Sequence, residues 1–223
     1  MFLIFDLDDT LIETSKCLAL PAMKRAFTAM LEEGLNLEES AFEDLLKINA
    51  SSISSRASVQ TFWEKHSNKK EILDAGLSAL SSPFEDSISL EPVPDALEIL
   101  EELQGVCPLA LVTMGTPKLQ RQKMKKAGIQ LQRFSTLIVG RGPSKKKDYQ
   151  RVALELGLPC EEGVVCGDRV PIDLSPAKEL GFFTVHFPNG RGKVHGSPRE
   201  DVDTTIHSLK ELKRVIIGKK NEV

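Results

Sequence analysis

Carboxylates follow two short apolar runs of this 223-residue chain, at the point where each run ends. The run MFLIF at residues 1–5 precedes Asp6 and Asp8, and the run GVVC precedes Asp168 and Asp173. Apolar runs that end this abruptly are typical of strands buried on both faces of a parallel sheet. Ligands of such sheets bind beyond the carboxyl ends of the strands, so these acids stand where chemistry is expected.

Carboxylates that converge from two strands raise one another's pKa unless a cation lies among them. Mg²⁺ prefers oxygen ligands and retains several waters, so it fits such a site best. A divalent cation beside a carboxylate favours phosphoryl chemistry, because the ion neutralises charge on the phosphate oxygens. The carboxylate itself can attack phosphorus to form an aspartyl-phosphate. Capping of the following helices would explain one such acidic group, but two groups together favour the chemical interpretation.

Strands and helices alternate along most of the chain. The predicted strands are residues 1–5 and the apolar runs that end at Thr113, Val139, Cys166 and Phe187. The predicted helices between them are Pro94 to Leu103, Pro117 to Ala127, Lys147 to Leu156 and Leu174 to Leu180. This alternation predicts an α/β fold with a Rossmann-like, doubly wound parallel sheet.

Residues 14–91 interrupt that alternation and predict an inserted all-helical domain. Amphipathic patterns cover Lys16 to Glu33, Glu38 to Ile48, Val59 to His66 and Lys70 to Leu80. Serine-rich joints around residues 51–58 and 81–89 are suited to hinges. The α/β core domain is therefore expected to comprise residues 1–13 and 92–223.

Four motifs in this order resemble the haloacid dehalogenase (HAD) superfamily over nearly the whole chain. They are hhhhD-x-D-x-T at Leu3 to Thr10, a strand-terminal Thr113, a lysine ahead of a helix, and G-D-x-x-x-x-D at Gly167 to Asp173, followed by Ala177 and Gly181. The helical insertion stands where the C1 cap of the family is placed. The chain is thus similar to the subfamily I phosphatases, whose members close a cap over the core.

The resemblance implies that Asp6 is the nucleophile and also gives one oxygen to Mg²⁺. It implies that Asp8 is general acid for the leaving group and general base for water, with its backbone carbonyl on the metal. In an extended segment alternate side chains point the same way, so Asp6 and Asp8 can both face the phosphate. Thr10 is expected to support this loop and is counted among the substrate-binding residues.

The later motifs imply the remaining ligands of the phosphate and of the metal. Thr113 is expected to hydrogen-bond a phosphoryl oxygen, together with the backbone N–H of Met114. Asp168 is expected to complete the metal shell. Asp173 either ligates the ion or holds one of its waters.

The chain departs from the common family pattern in two places. Asp9 stands where many members have glycine, and the usual lysine followed by proline is absent. The run SKKKDY offers Lys145, Lys146 and Lys147 instead. Counting back from Tyr149, which opens the following helix, favours Lys145 as the catalytic lysine that offsets the charge of the nucleophile and the phosphate. Lys146 is a rival and is counted with Lys145 among the substrate-binding residues.

Asp8 favours a Mg²⁺-dependent phosphatase that hydrolyses a small phosphomonoester of the sugar phosphate or nucleotide class. Members of the family that act as dehalogenases have an aromatic residue at this position. A sugar phosphomutase shares the motifs and stays an alternative. A phosphonate hydrolase is a further alternative and requires a cap lysine for a Schiff base, for which Lys16, Lys24 and Lys47 are available.

A non-catalytic module that binds phosphate or nucleic acid is the alternative from another class. From Leu103 to Lys147 the chain has ten basic residues and no acidic one, although its net charge is −3. Phe134 is the only aromatic residue of that segment, which disfavours base stacking. No apolar run is long enough to cross a bilayer, no basic leader precedes the first run, and the four cysteines form no C-x-x-C pair. We therefore expect a cytoplasmic protein with reduced thiols, no membrane association and a small phosphorylated metabolite as its partner.

Overall fold

Among the described residues, six parallel strands form one sheet. The structure is a computed structural model and describes residues 1–52, 54–83, 88–142, 144–195 and 200–221. The strands are β1 (Phe2–Phe5), β2 (Leu109–Met114), β3 (Thr136–Gly140), β4 (Gly163–Gly167), β5 (Phe183–His186) and β6 (Thr204–Thr205). Their order in the sheet is β3-β2-β1-β4-β5-β6. This arrangement confirms the predicted doubly wound α/β fold.

The strand order makes β1 the neighbour of both β2 and β4. Ile4 in β1 pairs with Ala110 on one side and with Val165 on the other. The chain moves outward from β1 through β2 to β3 and then returns to add β4 on the opposite side of β1. Such a reversal opens a crevice at the carboxyl ends of the strands. The acids that follow β1 and β4 both lie at this edge.

The chain divides into two units, of which the second, Thr14–Ser89, contains helices joined by loops and no strand in its described part. A π-helical turn at Ser15–Ala19 leads into its first helix. Its helices are α1 (Leu20–Glu32), α2 (Phe42–Ser51), α3 (Ser55–His66) and α4 (Lys70–Ser81). They enclose a hydrophobic core of their own, in which the Phe27 ring lies 5.4 Å from that of Phe42 and 5.9 Å from that of Phe62. Residues 53 and 84–87 of the two predicted joints lie outside the described residues.

The first unit, Met1–Glu13 with Leu90–Val223, contains the sheet. Its helices are α5 (Ala96–Gln104), α6 (Pro117–Lys126), α7 (Lys146–Leu156), α8 (Ser175–Lys178) and α9 (Glu211–Asn221). Helix α5 begins two residues later than predicted, because Asp95 has a left-handed backbone with φ of 67°. Within the described part of the chain, every helix is too short or too polar to cross a bilayer.

The region after β4 and the C-terminal region differ from the sequence prediction. A π-helical turn at Val170–Leu174 precedes the short α8, where one helix at 174–180 was expected. Strand β6 and helix α9 were not predicted. Strand β6 has two polar residues and is aligned by Asp203, whose Oδ2 accepts hydrogen bonds from both Thr184 N and Thr184 Oγ1 at 2.9 Å. Because these polar contacts join residues that are distant in the chain, they produce no periodic pattern of apolar residues from which β6 could be predicted.

Candidate active site

Three buried acids meet at the carboxyl edge of the sheet. Asp6 follows β1, Asp168 follows β4, and Asp173 lies in the π-helical turn. One carboxylate oxygen of each lies within 4.8 Å of the others. A Cβ atom at Gly167 would lie 2.5 Å from the Cβ of Asp173. Glycine at the end of β4 therefore allows Asp173 to approach the strand closely enough to join the cluster.

Lys145 joins two of these acids. Its Nζ lies 2.5 Å from Asp6 Oδ1 and 2.7 Å from Asp173 Oδ1, and the residue is only 1% exposed. Burial alone would lower the pKa of Lys145, but the Asp173 and Asp6 carboxylates outweigh burial and raise the pKa well above its ordinary value. The lysine is therefore a permanent positive charge beside Asp6 and Asp173.

Asp6 accepts a second hydrogen bond from a residue of its own loop. Thr10 Oγ1 donates to Asp6 Oδ2 at 3.4 Å and is fully buried. Burial raises the pKa of Asp6 from 3.8 to about 7; Lys145 opposes this rise, whereas Asp173 and Asp8 add to it. Additional positive charge beside this cluster would therefore favour the ionised form that a nucleophile requires.

Asp168 is a buried carboxylate without a hydrogen-bond partner among the described residues. Both of its oxygens are buried and have no hydrogen-bond partner among the described residues, and Arg169 Nε lies 4.0 Å from its Oδ1. Burial, followed by the charges of Asp173 and Asp6, raises its pKa well above the ordinary value. Because a buried carboxylate without hydrogen-bond partners is costly, this arrangement favours a bound cation.

The backbone of Asp168 is held from two directions. His186 is the last residue of β5, and its Nε2 lies 2.9 Å from the Asp168 carbonyl oxygen. A Cβ atom at Gly192 would lie 2.1 Å from that same oxygen, so a side chain at this position would displace the Asp168 backbone. These contacts fix Asp168 in place before any ligand arrives. Together with the oxygen-only donor set of Asp6, Asp168 and Asp173, they fit Mg²⁺.

Replacing Asp168 by Asn should stabilise the metal-free protein and remove its response to Mg²⁺. The substitution replaces a buried carboxyl group that crowds two other acids and has no hydrogen-bond partner among the described residues. We expect the melting temperature to rise by about 2–4 °C, which corresponds to about 1 kcal/mol at this chain length. Mg²⁺ should raise the melting temperature of the wild type, since an ion that binds only the folded state stabilises it. Differential scanning fluorimetry of both proteins, with and without Mg²⁺, measures the two effects.

The wild-type response to Mg²⁺ should also increase between about pH 5 and about pH 7.5. The raised pKa of Asp6 means that the folded, metal-free protein keeps a proton that the unfolded chain has released. Stability of the metal-free form therefore falls as pH rises through this interval, and metal binding, which requires ionised ligands, offsets the loss. An equal Mg²⁺ shift at both pH values, undiminished in Asp168→Asn, would contradict the metal assignment.

Asp8 lies outside the three-acid cluster and contacts α6 instead. Its Oδ1 accepts from Lys123 Nζ at 2.7 Å, and its Oδ2 accepts from Gln120 Nε2 at 3.0 Å. Gln120 Nε2 also lies 2.8 Å from both Thr113 Oγ1 and the Met114 carbonyl oxygen. Because Gln120 donates to the Thr113 hydroxyl, that hydroxyl retains its own proton for another acceptor.

The structure thus brings together some of the sequence-predicted residues and separates others. Asp6, Lys145, Asp168 and Asp173 are in one cluster, whereas the Asp8 carboxylate is held beside them by α6. Lys146 does not reach the cluster: its Nζ pairs with Glu179 at 2.7 Å at the protein surface.

Lys147 and Thr10 have different surroundings. Lys147 is exposed, while Thr10 is fully buried against Asp6. The Thr10 hydroxyl is directed to the carboxylate of Asp6 within the same loop.

Asp9 has a left-handed backbone with φ of 61°. Glycine adopts this conformation readily and Asp tolerates it better than most residues, which explains why glycine suits this position in similar proteins. The Asp9 side chain is buried, and a Cβ atom at Gly190 would lie 2.3 Å from its Cγ. Asp9 is therefore part of the packing beneath the site.

Three further residues of the site were not singled out by sequence reasoning in these roles. Gln120 and Lys123 hold Asp8, and Tyr149 donates from its buried hydroxyl to the Asp173 carbonyl oxygen at 3.0 Å. A signal for the first two was present: they share the helical spacing of the buried Met124 and Ala127, so they belong to the core-facing side of α6. Polar residues in an apolar stripe indicate a buried polar partner.

The basic segment of the chain is divided between this site and the surface. Lys123 and Lys145 are buried against acids, whereas Lys118, Arg121 and Lys125 are exposed. Phe134 is buried, so it presents no ring face to a nucleic-acid base. Some basic residues of the segment thus line the acidic site, and others lie on a solvent-exposed face of α6.

The fold and the site together define a class of enzyme, a Rossmann-like hydrolase with a carboxylate cluster at the switch point of its sheet. The family model of haloacid dehalogenase-like hydrolases matches residues 2–181. The chain belongs to this family.

Curated relatives and solved structures agree with this assignment. A glyceraldehyde 3-phosphate phosphatase from Methanocaldococcus jannaschii is 29% identical over 99% of this chain and 98% of its own. A protein of the same name from Methanopyrus kandleri is 28% identical over 90% of this chain and 88% of its own. The structure of a HAD phosphatase from Thermococcus onnurineus superposes with a TM-score of 0.66 at 22% identity, covering 96% of each chain.

Proposed function

We propose that this protein is a Mg²⁺-dependent phosphatase that hydrolyses a small phosphomonoester of the sugar phosphate class through an aspartyl-phosphate at Asp6. The observation that carries the proposal is the position of Asp6, which is buried beside the Lys145 ammonium and in one cluster with Asp168, whose carboxylate has no hydrogen-bond partner among the described residues. The substrate class follows the two relatives named as glyceraldehyde 3-phosphate phosphatases, which share most of their length with this chain.

The residues at the sheet edge divide the reaction between them. Asp6 attacks phosphorus, and the bond from phosphorus to the leaving oxygen breaks as the Asp6–phosphorus bond forms. Asp8 gives its proton to the leaving oxygen and later takes one from the water that hydrolyses the intermediate. Thr113 donates its hydroxyl proton to a phosphoryl oxygen, together with the backbone N–H of Met114, and Lys145 offsets the negative charge of the nucleophile.

Asp6, Asp168 and the Asp8 backbone carbonyl would hold Mg²⁺. Asp173 accepts from both Lys145 and the Arg169 backbone N–H, which favours a role in holding Lys145 and a metal-bound water. When bound, the ion neutralises charge on the phosphate oxygens and on the acids.

We further propose that the helical unit Thr14–Ser89 acts as the cap that selects the substrate and excludes bulk water. It is inserted between β1 and β2 and has its own hydrophobic core, so it can differ between relatives while the sheet keeps the chemistry. A cap of this kind limits substrates to small metabolites.

Exposure of the cap lysines disfavours phosphonate cleavage. A Schiff-base lysine is activated by desolvation, whereas Lys16, Lys24 and Lys47 are exposed. Lys24 lies over the Phe42 ring at 5.1 Å and Lys47 pairs with Asp44 at 3.2 Å. Each of these contacts is typical of a solvated helix surface.

Release of inorganic phosphate tests the proposal. The purified protein should hydrolyse p-nitrophenyl phosphate with Mg²⁺ and lose this activity in EDTA. In a panel of phosphorylated metabolites, glyceraldehyde 3-phosphate and other small sugar phosphates should show the highest kcat/KM, ahead of nucleoside monophosphates. Conversion of a sugar phosphate to its isomer without phosphate release would support a phosphomutase instead, and no turnover of any phosphate ester would contradict the proposal.

A further inference from the structure

Two side chains of α6 bind both carboxylate oxygens of Asp8, and we propose that they position this residue for proton transfer. The inference rests on the proposed function, in which Asp8 is the acid and the base. Lys123 Nζ contacts Asp8 Oδ1 at 2.7 Å, and Gln120 Nε2 contacts Asp8 Oδ2 at 3.0 Å. With a donor on each oxygen, the carboxylate plane is set by α6 rather than by its own loop alone.

The placement of Lys123 is unusual for its helix. Helix α6 is rich in lysine, and the neighbouring Lys118 and Lys125 are exposed, yet Lys123 is buried. Burial of an ammonium group is costly unless a carboxylate pairs with it. The Asp8 side chain supplies this pair and is itself 28% exposed.

Gln120 extends the arrangement to the end of β2. Its Nε2 lies 2.8 Å from both Thr113 Oγ1 and the Met114 carbonyl oxygen, and the residue is buried. Gln120 therefore links the orientation of the Asp8 carboxylate to the end of β2, which is proposed to bind the phosphate. If the Asp8 carboxylate or the end of β2 moved, the contacts of Gln120 with the other would oppose the movement.

The pair acts through the direction of the Asp8 carboxyl group. Asp8 gives its proton to the leaving oxygen, while the contacts of Lys123 and Gln120 keep its two oxygens in place. The carboxylate then takes a proton from water, while the water oxygen bonds phosphorus and the Asp6–phosphorus bond breaks. Lys123 and Gln120 act through Asp8 in these steps and are therefore positioning residues.

Lys123→Met is the variant that tests this role, because methionine keeps the length and apolar contacts of the stem without the charge. We expect kcat for a sugar phosphate to fall about 10- to 100-fold while KM changes less than about 2-fold. Gln120→Met should lower kcat in the same direction, and it carries the test if Lys123→Met does not fold. Lys125→Met, at an exposed position of the same helix, is the matched control and should keep wild-type activity.

A double-mutant cycle separates positioning from a general structural effect. In an Asp8→Asn background, Lys123→Met should change the residual kcat by less than about 2-fold, because no acid is left to position. An equal loss in both backgrounds, a change confined to KM, or an undiminished kcat would overturn the inference. If Asp6→Asn is inactive while Lys123→Met is fully active, only this inference fails; a wild-type protein without phosphatase activity would overturn the proposed function and the inference with it.

Discussion

Asp6→Asn should abolish phosphatase activity, lowering kcat by about 10⁵-fold or more. The amide cannot form the acyl phosphate that the carboxylate forms, so the reaction loses its covalent intermediate. Asn has nearly the same shape and removes one of several like charges, so the fold should persist. The measurement is the release of inorganic phosphate with Mg²⁺, with circular dichroism to verify the fold.

Trapping the intermediate provides the complementary observation. Acid quenching of the wild-type protein during turnover should leave a phosphoryl group on the peptide that contains Asp6, detectable by mass spectrometry, and the Asp6→Asn variant should carry none. Asp44→Asn, at an exposed carboxylate of the helical unit, is a matched control and should keep both activity and labelling. Undiminished activity of Asp6→Asn would refute the assigned nucleophile.

Lys145→Met should lower kcat/KM by about 10²- to 10³-fold, the effect expected for removing a fixed charge from a water-poor site. Its ammonium is the group that contacts both Asp6 and Asp173, so its loss leaves two buried carboxylates facing each other. Steady-state kinetics with Mg²⁺ measures the effect. Lys147→Met, two residues along and exposed, should retain activity.

The same substitution should destabilise the metal-free protein. Removing one partner from a buried ion pair costs about 3–5 kcal/mol, because it leaves charge uncompensated. We therefore expect a lower melting temperature for Lys145→Met, which Mg²⁺ raises by more than it raises that of the wild type. If Lys145→Met and Lys147→Met had equal activities, Lys145 would not be the charge that balances the nucleophile.

The acids of the site were predictable because each follows a local signal. Asp6 and Asp168 come directly after short apolar runs, and a run of that kind indicates a buried parallel strand without knowledge of its neighbours. The common edge of a parallel sheet then brings the two positions together, although they are 162 residues apart in the chain.

The choice among three consecutive lysines was not predictable in the same way. Lys145, Lys146 and Lys147 have identical side chains, and only the start of α7 decides their directions. Lys145 stands at the N-cap of that helix and points into the cluster, while Lys146 reaches Glu179. Each helical residue is rotated by about 100° from the one before it. A lysine one position further along therefore has its side chain at the surface instead of in the buried cluster.

Strand length, helix period and D-x-D spacing are local properties of the chain, so the class of fold, the helical pattern of residues 14–91 and the acids after β1 and β4 could be predicted from the sequence. Three features depend on contacts between distant residues: which lysine faces Asp6, the lack of a hydrogen-bond partner for Asp168 among the described residues, and the contacts of α6 with Asp8. Lys123 and Asp8 are separated by 115 residues, and nothing in the neighbourhood of either indicates the other. Such contacts arise from the order of strands in the sheet, which places β2 and its following helix beside the loop after β1.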